Sequence, residues 1–234
     1  MALLGTLVNG ALIIVGVAIG LLFRNIPERM KETVLFGIGL VVLLLGIQMA
    51  LEGSNIVLIL LSVLSGAVIG ESMQLEEKLN AIGHWIESKV SIKNQGNIAQ
   101  GFITATLIFV IGAMAVIGAL DSGLRNDHEV LITKAFLDGF MALILTSTLG
   151  FGVIFSVIPV VLYQGSIALG AAYINQWIPQ SAMELFITEL TATGGLLIIA
   201  IGLNILQITK IRIANLLPSI LTLFLFWSIY TFIF

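Results

Sequence analysis

No cysteine occurs among the 234 residues, which removes disulfides, thiolate chemistry and cysteine metal sites together. Charged residues make up only 10% of the chain. An ordinary soluble domain carries roughly 25%, so this composition cannot coat a water-facing surface. The net charge is −3 with no basic block, which argues against a nucleic-acid partner. No glycine-rich phosphate loop of the Walker type occurs, so ATP-driven transport by this chain alone is excluded. What fills the sequence instead is apolar: 59% of it is hydrophobic, which also rules out a disordered segment. An integral membrane protein is expected, with the lipid bilayer as its main partner.

A membrane span needs roughly 20 predominantly apolar residues. Eight such segments can be drawn, at 3–23, 34–51, 56–72, 98–120, 135–155, 157–174, 184–206 and 214–233. The sixth is the irregular one, since it opens at Ser156-Val-Ile-Pro159 and contains Gln164-Gly165; a re-entrant segment is the alternative there. With eight spans and the N-terminus outside, eight of the ten Lys and Arg fall in cytoplasmic loops and two outside. A re-entrant sixth segment changes the split to six and four, so the N-out, C-out arrangement is preferred. The first span has no basic region before it and a poor cleavage site at Val17-Ala-Ile-Gly20, and is read as retained. Between the third and fourth spans, Leu75, Leu79, Ile82, Ile86 and Val90 form one apolar stripe. Residues 73–93 are therefore expected to form an amphipathic helix on the cytoplasmic leaflet or against the bundle, with Trp85 as an interfacial anchor.

Sliding the chain by about 155 residues lays spans one and two over spans six and seven, as in transporters built from inverted repeats. Leu7-Val-Asn-Gly10 then falls on Leu162-Tyr-Gln-Gly165, and Gly39 and Gly46 fall on Gly195 and Gly202. Span three is left to pair with span eight. The middle spans echo each other through Gln100-Gly-Phe102 and Asp138-Gly-Phe140. The expected architecture is one all-α transmembrane domain, an inverted repeat of spans 1–3 and 6–8 around a central hairpin. A polar residue followed by glycine thus occurs four times: Asn9-Gly10, Gln100-Gly101, Asp138-Gly139 and Gln164-Gly165. Such pairs either line a polar path or make interhelical hydrogen bonds at close crossings. Gly16-Val-Ala-Ile-Gly20 and Gly66-Ala-Val-Ile-Gly70 are helix-packing faces, used within the protomer or against a second copy, so a homodimer is expected too.

An ionisable side chain inside a span is a functional hypothesis by default. These eight spans contain no Lys or Arg, and Glu71, Asp138, Glu184 and Glu189 are their only acids. Glu71 and Glu184 sit at span ends. Asp138 and Glu189 lie three and five residues in, on helices that start on the same side. Glu189 shares a helix face with Thr193, four residues on, and Gly194-Gly195 follow. Carboxylate, hydroxyl and loosened carbonyl oxygens suit a proton or small cation. The bland alternative is two acids in the first turns of their helices, favoured by the macrodipole and paired with Arg125 or Lys134 of the adjacent loop. His84 and His128 lie outside the spans, so no intramembrane Ser–His dyad or metal triad can be drawn. No cofactor, metal site or enzymatic activity is expected.

Gly5-Thr-Leu-Val-Asn-Gly10, the repeated polar–glycine pairs and Glu189-Leu-Thr-Ala-Thr-Gly-Gly195 are carried by a recognisable family. Through them the chain resembles, over nearly its whole length, a bacterial inner-membrane family of unknown function typified by YqgA and YdfK. The resemblance implies a multi-pass protein of the bacterial plasma membrane, often labelled a transport protein, with no established substrate and no assigned catalytic residue. The function expected is a secondary transporter or channel-like carrier of a small solute or ion, coupled to a proton or cation. Glu189 and Asp138 take up that ion, and Asn9, Gln164, Gln100 and Thr193 join them along the pathway. Rocking of one half against the other would alternate access. The alternative is a membrane scaffold or regulatory protein whose polar residues only hold helices together.

Overall fold

The computed structural model describes all residues except 24–27, 82–97, 112 and 234. Among the described residues every regular element is helical, as a chain that must satisfy its own backbone in lipid requires. The elements are α1 (Leu4–Leu22), α2 (Glu28–Ala50), α3 (Ile56–Met73), α4 (75–81), α5 (Ile98–Val110), α6 (Ala113–Arg125), α7 (Glu129–Leu149), the 3-10 turn η1 (Phe151–Ser156), α8 (Val157–Trp177), α9 (Gln180–Ile205), the 3-10 turn η2 (Ile213–Leu216) and α10 (Ser219–Ile233). Seven helices are long and apolar enough to cross a membrane, and α5 with α6 makes an eighth if that bent pair is one span.

Several expected boundaries shift. The fourth span, rather than the sixth, is the broken one: α5 and α6 meet at an angle of 59°. α5 ends at Val110 and α6 begins at Ala113. The sixth span runs as an apolar stretch of 23 residues, Phe151–Tyr173, with a 3-10 first part. Pro159 lies in the first turn of α8, where a missing N–H costs least. Gly150, at φ 86°, turns the chain from α7 into η1, a backbone conformation that glycine adopts without strain. The amphipathic helix expected at 73–93 begins as α4, but most of it, with His84 and Trp85, lies outside the described residues.

The helices form two compact units. The first comprises residues 1–31 and 82–178. Here α1 runs parallel to α7 at backbone distance. A Cβ on Gly16 would lie 2.0 Å from the Gly139 carbonyl oxygen, and one on Gly20 2.6 Å from that of Leu143. Along its other flank α1 lies antiparallel to α8, with Gly10 against Val161 and Gly165 near Thr6. Gly123 of α6 meets Ala168 of α8, and Gly152 of η1 meets Ile98 of α5.

The second unit comprises residues 32–81 and 179–234. Helices α2 and α9 are antiparallel, with Gly39 facing Leu206, Leu43 facing Gly202, Gly46 facing Ile199 and Ala50 facing Gly195. Helices α3 and α10 are antiparallel as well: Gly66 meets Ser219, Gly70 meets Asn215, and Thr222 Oγ1 donates to the Ser62 carbonyl at 2.8 Å. The start of α4 is tied to η2, where Ala214 N–H donates to Glu76 and Glu76 N–H to Asn215. Both small-residue faces named in the sequence are thus occupied within the chain.

Candidate functional site

In the first unit, three of the four polar–glycine pairs converge on one point. The Asn9 amide donates to Asp138 Oδ2 at 3.0 Å and to Gln164 Oε1 at 3.2 Å. Their glycines make this possible, since Gly139 brings α7 against the Leu12 carbonyl and Gly10 brings α1 against α8. Each polar side chain then reaches its partner over a distance that Cβ atoms would have widened. Asn9 and Gln164 are fully buried and Asp138 is 6% exposed. The fourth pair points elsewhere. Gly101 packs near Gly152 and Val153, and Gln100 is exposed.

Lys134, expected in the outer loop before a span starting at 135, lies in α7, because that helix starts at Glu129. Lys134 therefore sits inside the apolar helix, 5% exposed, and donates to Asp138 Oδ2 at 2.5 Å. The spacing of four, which puts both on one helix face, was the signal available. Asp138 is also deeper than expected, nine residues or about 13.5 Å along its helix. A buried ion pair is close to neutral for stability, but removing one partner strands the other charge at a cost of about 3–5 kcal/mol. Beside the pair, Asn9 Oδ1 and Gln164 Nε2 are buried without a hydrogen-bond partner, as is Thr6 Oγ1 one turn from Asn9 on α1. The cluster thus offers a fixed charge pair with an unused acceptor and an unused donor beside it.

The second unit holds its own buried acid. Glu189 is fully buried and, like Asp138, nine residues from the start of its helix rather than five. Its Oε1 accepts from Ser54 N–H at 3.0 Å, Ser54 Oγ–H at 2.6 Å and Asn55 N–H at 2.8 Å. These donors open α3, where Asn55 is the N-cap and its side chain accepts from Leu58 N–H. The helix dipole and free N–H groups of α3 therefore face the carboxylate. Gly53, packed against Ala192, lets this turn sink beside α9. Glu189 Oε2 has no partner and is buried, as are Thr191 Oγ1 and Thr193 Oγ1. A Ser-Asn pair before an apolar run is a helix-start signature, so the turn was legible, though its acid partner 134 residues away was not.

One further polar contact was not foreseen. Ser122 Oγ and the Nδ1 of His128 lie 2.6 Å apart, and Ser122 also donates to the Ala2 carbonyl. Ser122 is fully buried, and its bond to the Ala2 carbonyl fastens the start of the chain to α6.

Apolar spanning helices holding buried polar clusters define a multi-pass helical membrane protein. Residues 4–228 match the family described as a protein of unknown function (DUF554). The chain is 32% identical over 223 residues to the uncharacterized membrane protein YdfK of Bacillus subtilis, covering 93% of this chain and 92% of that one. It is 31% identical over 224 residues to the uncharacterized protein YqgA of Escherichia coli, covering 93% of each. The chain belongs to this family. No solved structure matches it.

Proposed function

We propose that the protein is a secondary transporter or channel-like carrier of a small polar solute or ion, coupled to a proton or cation. The observation that carries this reading is the cluster of Asn9, Lys134, Asp138 and Gln164. It is a buried charge pair inside apolar helices, with an acceptor at Asn9 Oδ1 and a donor at Gln164 Nε2 unused. A pair that served only to join helices would be expected to use its full hydrogen-bonding capacity, because an unmade buried hydrogen bond costs about 1–3 kcal/mol. A solute with both donor and acceptor groups would satisfy both atoms at once. Within the other unit Glu189 supplies a second buried acid with Thr193 on the same helix face, and Gln100 stays in the proposal only as an exposed position of the first unit.

The inverted repeat belongs to the same proposal, and close contacts within each unit support it. Exchanging each residue of α2 with its repeat partner in α9 turns the contact Gly39–Leu206 into Gly195–Ala50, and Gly46–Ile199 into Gly202–Leu43; all four are present. The same exchange between α1 and α8 turns Gly10–Val161 into Gly165–Thr6 and returns Asn9–Gln164 to itself. A two-fold axis in the membrane plane would act this way. Placement in a bacterial plasma membrane rests on the family resemblance, and the outside position of both termini rests on the loop charges. The glycine faces are filled within the chain and no longer argue for a homodimer.

One observation favours the scaffold reading: three donors of the α2–α3 turn use Glu189 as a fastening. Thermal melts of the detergent-purified protein against a panel of ions and small metabolites separate the two readings. A ligand at 100 times its Kd adds about 2.7 kcal/mol to the folded form. A ligand-specific shift that Asn9→Ala abolishes supports the carrier. A flat panel, with Asn9→Ala merely less stable, favours the scaffold.

A further inference from the structure

We propose that Glu189 is a reversible proton-binding site whose charge state sets how tightly the start of α3 is held, and that the Lys134–Asp138 pair is not such a site. This deepens the carrier reading by choosing between its two acids, but its test requires no transport.

The two carboxylates differ in what balances them. Asp138 has an ammonium on the same oxygen that accepts from Asn9, so its negative charge is already neutralised within the unit. Adding a proton there would strand the Lys134 charge in an apolar surrounding. Among the described residues no basic side chain pairs with Glu189. The described basic residues of its unit are Lys78, Lys210 and Arg212, which follow the C-terminal ends of α3 and α9. The titratable groups at its own end are Glu52 of the α2–α3 turn, Glu184 of α9 and Tyr230 of α10. None of these side chains can carry a positive charge. The charge on Glu189 is balanced by dipoles alone, and only on Oε1.

Oε2 is buried and bare, beside the unpartnered hydroxyl of Thr193 one turn along the same helix face. A proton arriving from water on Oε2 gives a neutral carboxyl without disturbing the geometry, because Oε1 stays a carbonyl acceptor for Ser54 and Asn55. Those three bonds change in strength. Bonds to an ionised acceptor are roughly twice as strong as neutral ones. Protonation therefore loosens the turn that starts α3, and deprotonation clamps it. A proton is the occupant argued here, since it needs only Oε2 and one acceptor, whereas a metal cation needs several oxygens.

Infrared difference spectroscopy of the purified protein on stepping the pH between 4 and 9 tests this, with amide hydrogen exchange at 54–58 read in parallel. The expected result is a buried protonated-carboxyl band that titrates in the wild type and is missing in Glu189→Gln, with exchange at 54–58 rising as the band grows. In Glu189→Gln, which mimics the protonated form, exchange at 54–58 should be fast at every pH after correction for intrinsic rates. If Glu189→Gln does not fold, Ser54→Ala serves: losing a donor to the carboxylate should move the midpoint of the band upward. A band that persists in Glu189→Gln, or a midpoint unmoved in Ser54→Ala, overturns the proposal. So does an absence of any titrating band, which would make Glu189 a permanently ionised cap. The same titration in sodium chloride and in choline chloride distinguishes the occupants. Equal midpoints support a proton alone, and a midpoint that falls with sodium concentration overturns it in favour of a metal cation.

Discussion

Each unit of the molecule buries one acid, nine residues from the start of an apolar helix, and the two are balanced by different means. In the first unit Asp138 meets a full positive charge one helical turn away on its own helix, with an amide from α1 fixing its direction. In the second, Glu189 meets only N–H and O–H dipoles from the turn that opens α3. A charge balanced by a charge is held through a change of solvent or pH, because neither partner can leave without exposing the other. A charge balanced by dipoles keeps its hydrogen bonds when it is neutralised, only weakened. The first arrangement suits a permanent polar fixture, the second a group that changes state.

The sharpest way to break this comparison is to remove one side of the ion pair. Lys134→Ala should destabilise the protein by about 3–5 kcal/mol in denaturant melts, because it strands Asp138. The double change Lys134→Met with Asp138→Leu should recover most of that loss. A double variant as unstable as the single would show that the pair does not act as a unit. Next in size is Ser54→Ala, which cuts the donors to Glu189 from three to two backbone N–H groups and should cost about 1.5–3 kcal/mol, the range for a hydrogen bond to a charged group. No measurable cost would remove the turn from the balance of Glu189.

The close helix crossings that carry these sites give a third contrast. Gly16→Ala puts a Cβ on the Gly139 carbonyl and should cost about 1–3 kcal/mol through forced separation of α1 and α7. Gly37→Ala on α2 meets nothing within 4 Å and should instead gain up to about 1 kcal/mol of helix propensity. Equal effects at the two positions would refute the role given to backbone contact. Smallest of all, Asn55→Ala removes the N-cap acceptor of α3 and should cost about 1 kcal/mol. Its Glu189 bond, made by the backbone N–H, should survive.

Much of this was readable in the chain. Glycines following Asn9, Asp138 and Gln164 marked positions where helices come close, and these three pairs meet. Glu189 stood out as an acid in an apolar run, and it is buried. Lys134 was named as a partner for the acids, and Asp138 takes it; what could not be read was which partners Asn9, Gln164 and Glu189 take. Gln100-Gly101 has the same local pattern as the other three and lies apart from them, because pattern alone does not say which helix face turns inward. Lys134 was misplaced for a simpler reason. Hydropathy counts a Lys as a boundary, whereas a Lys with a carboxylate one turn away can remain inside the helix.

The sequence by itself determined the class: so little charge and so many unbroken apolar runs of about 20 residues leave a helical bundle in lipid, since the strands of a membrane barrel would alternate apolar and polar residues. It also determined where backbones approach, since only glycine permits contact at that distance. Tertiary structure alone decided that α1 joins α7 and α8 while α2 joins α9, and so which polar groups share a site. The physical reason is range. Helix formation is settled by neighbours within a turn, but Asn9 meets Gln164 and Asn55 meets Glu189 across more than 130 residues of chain, through packing that no local spacing encodes.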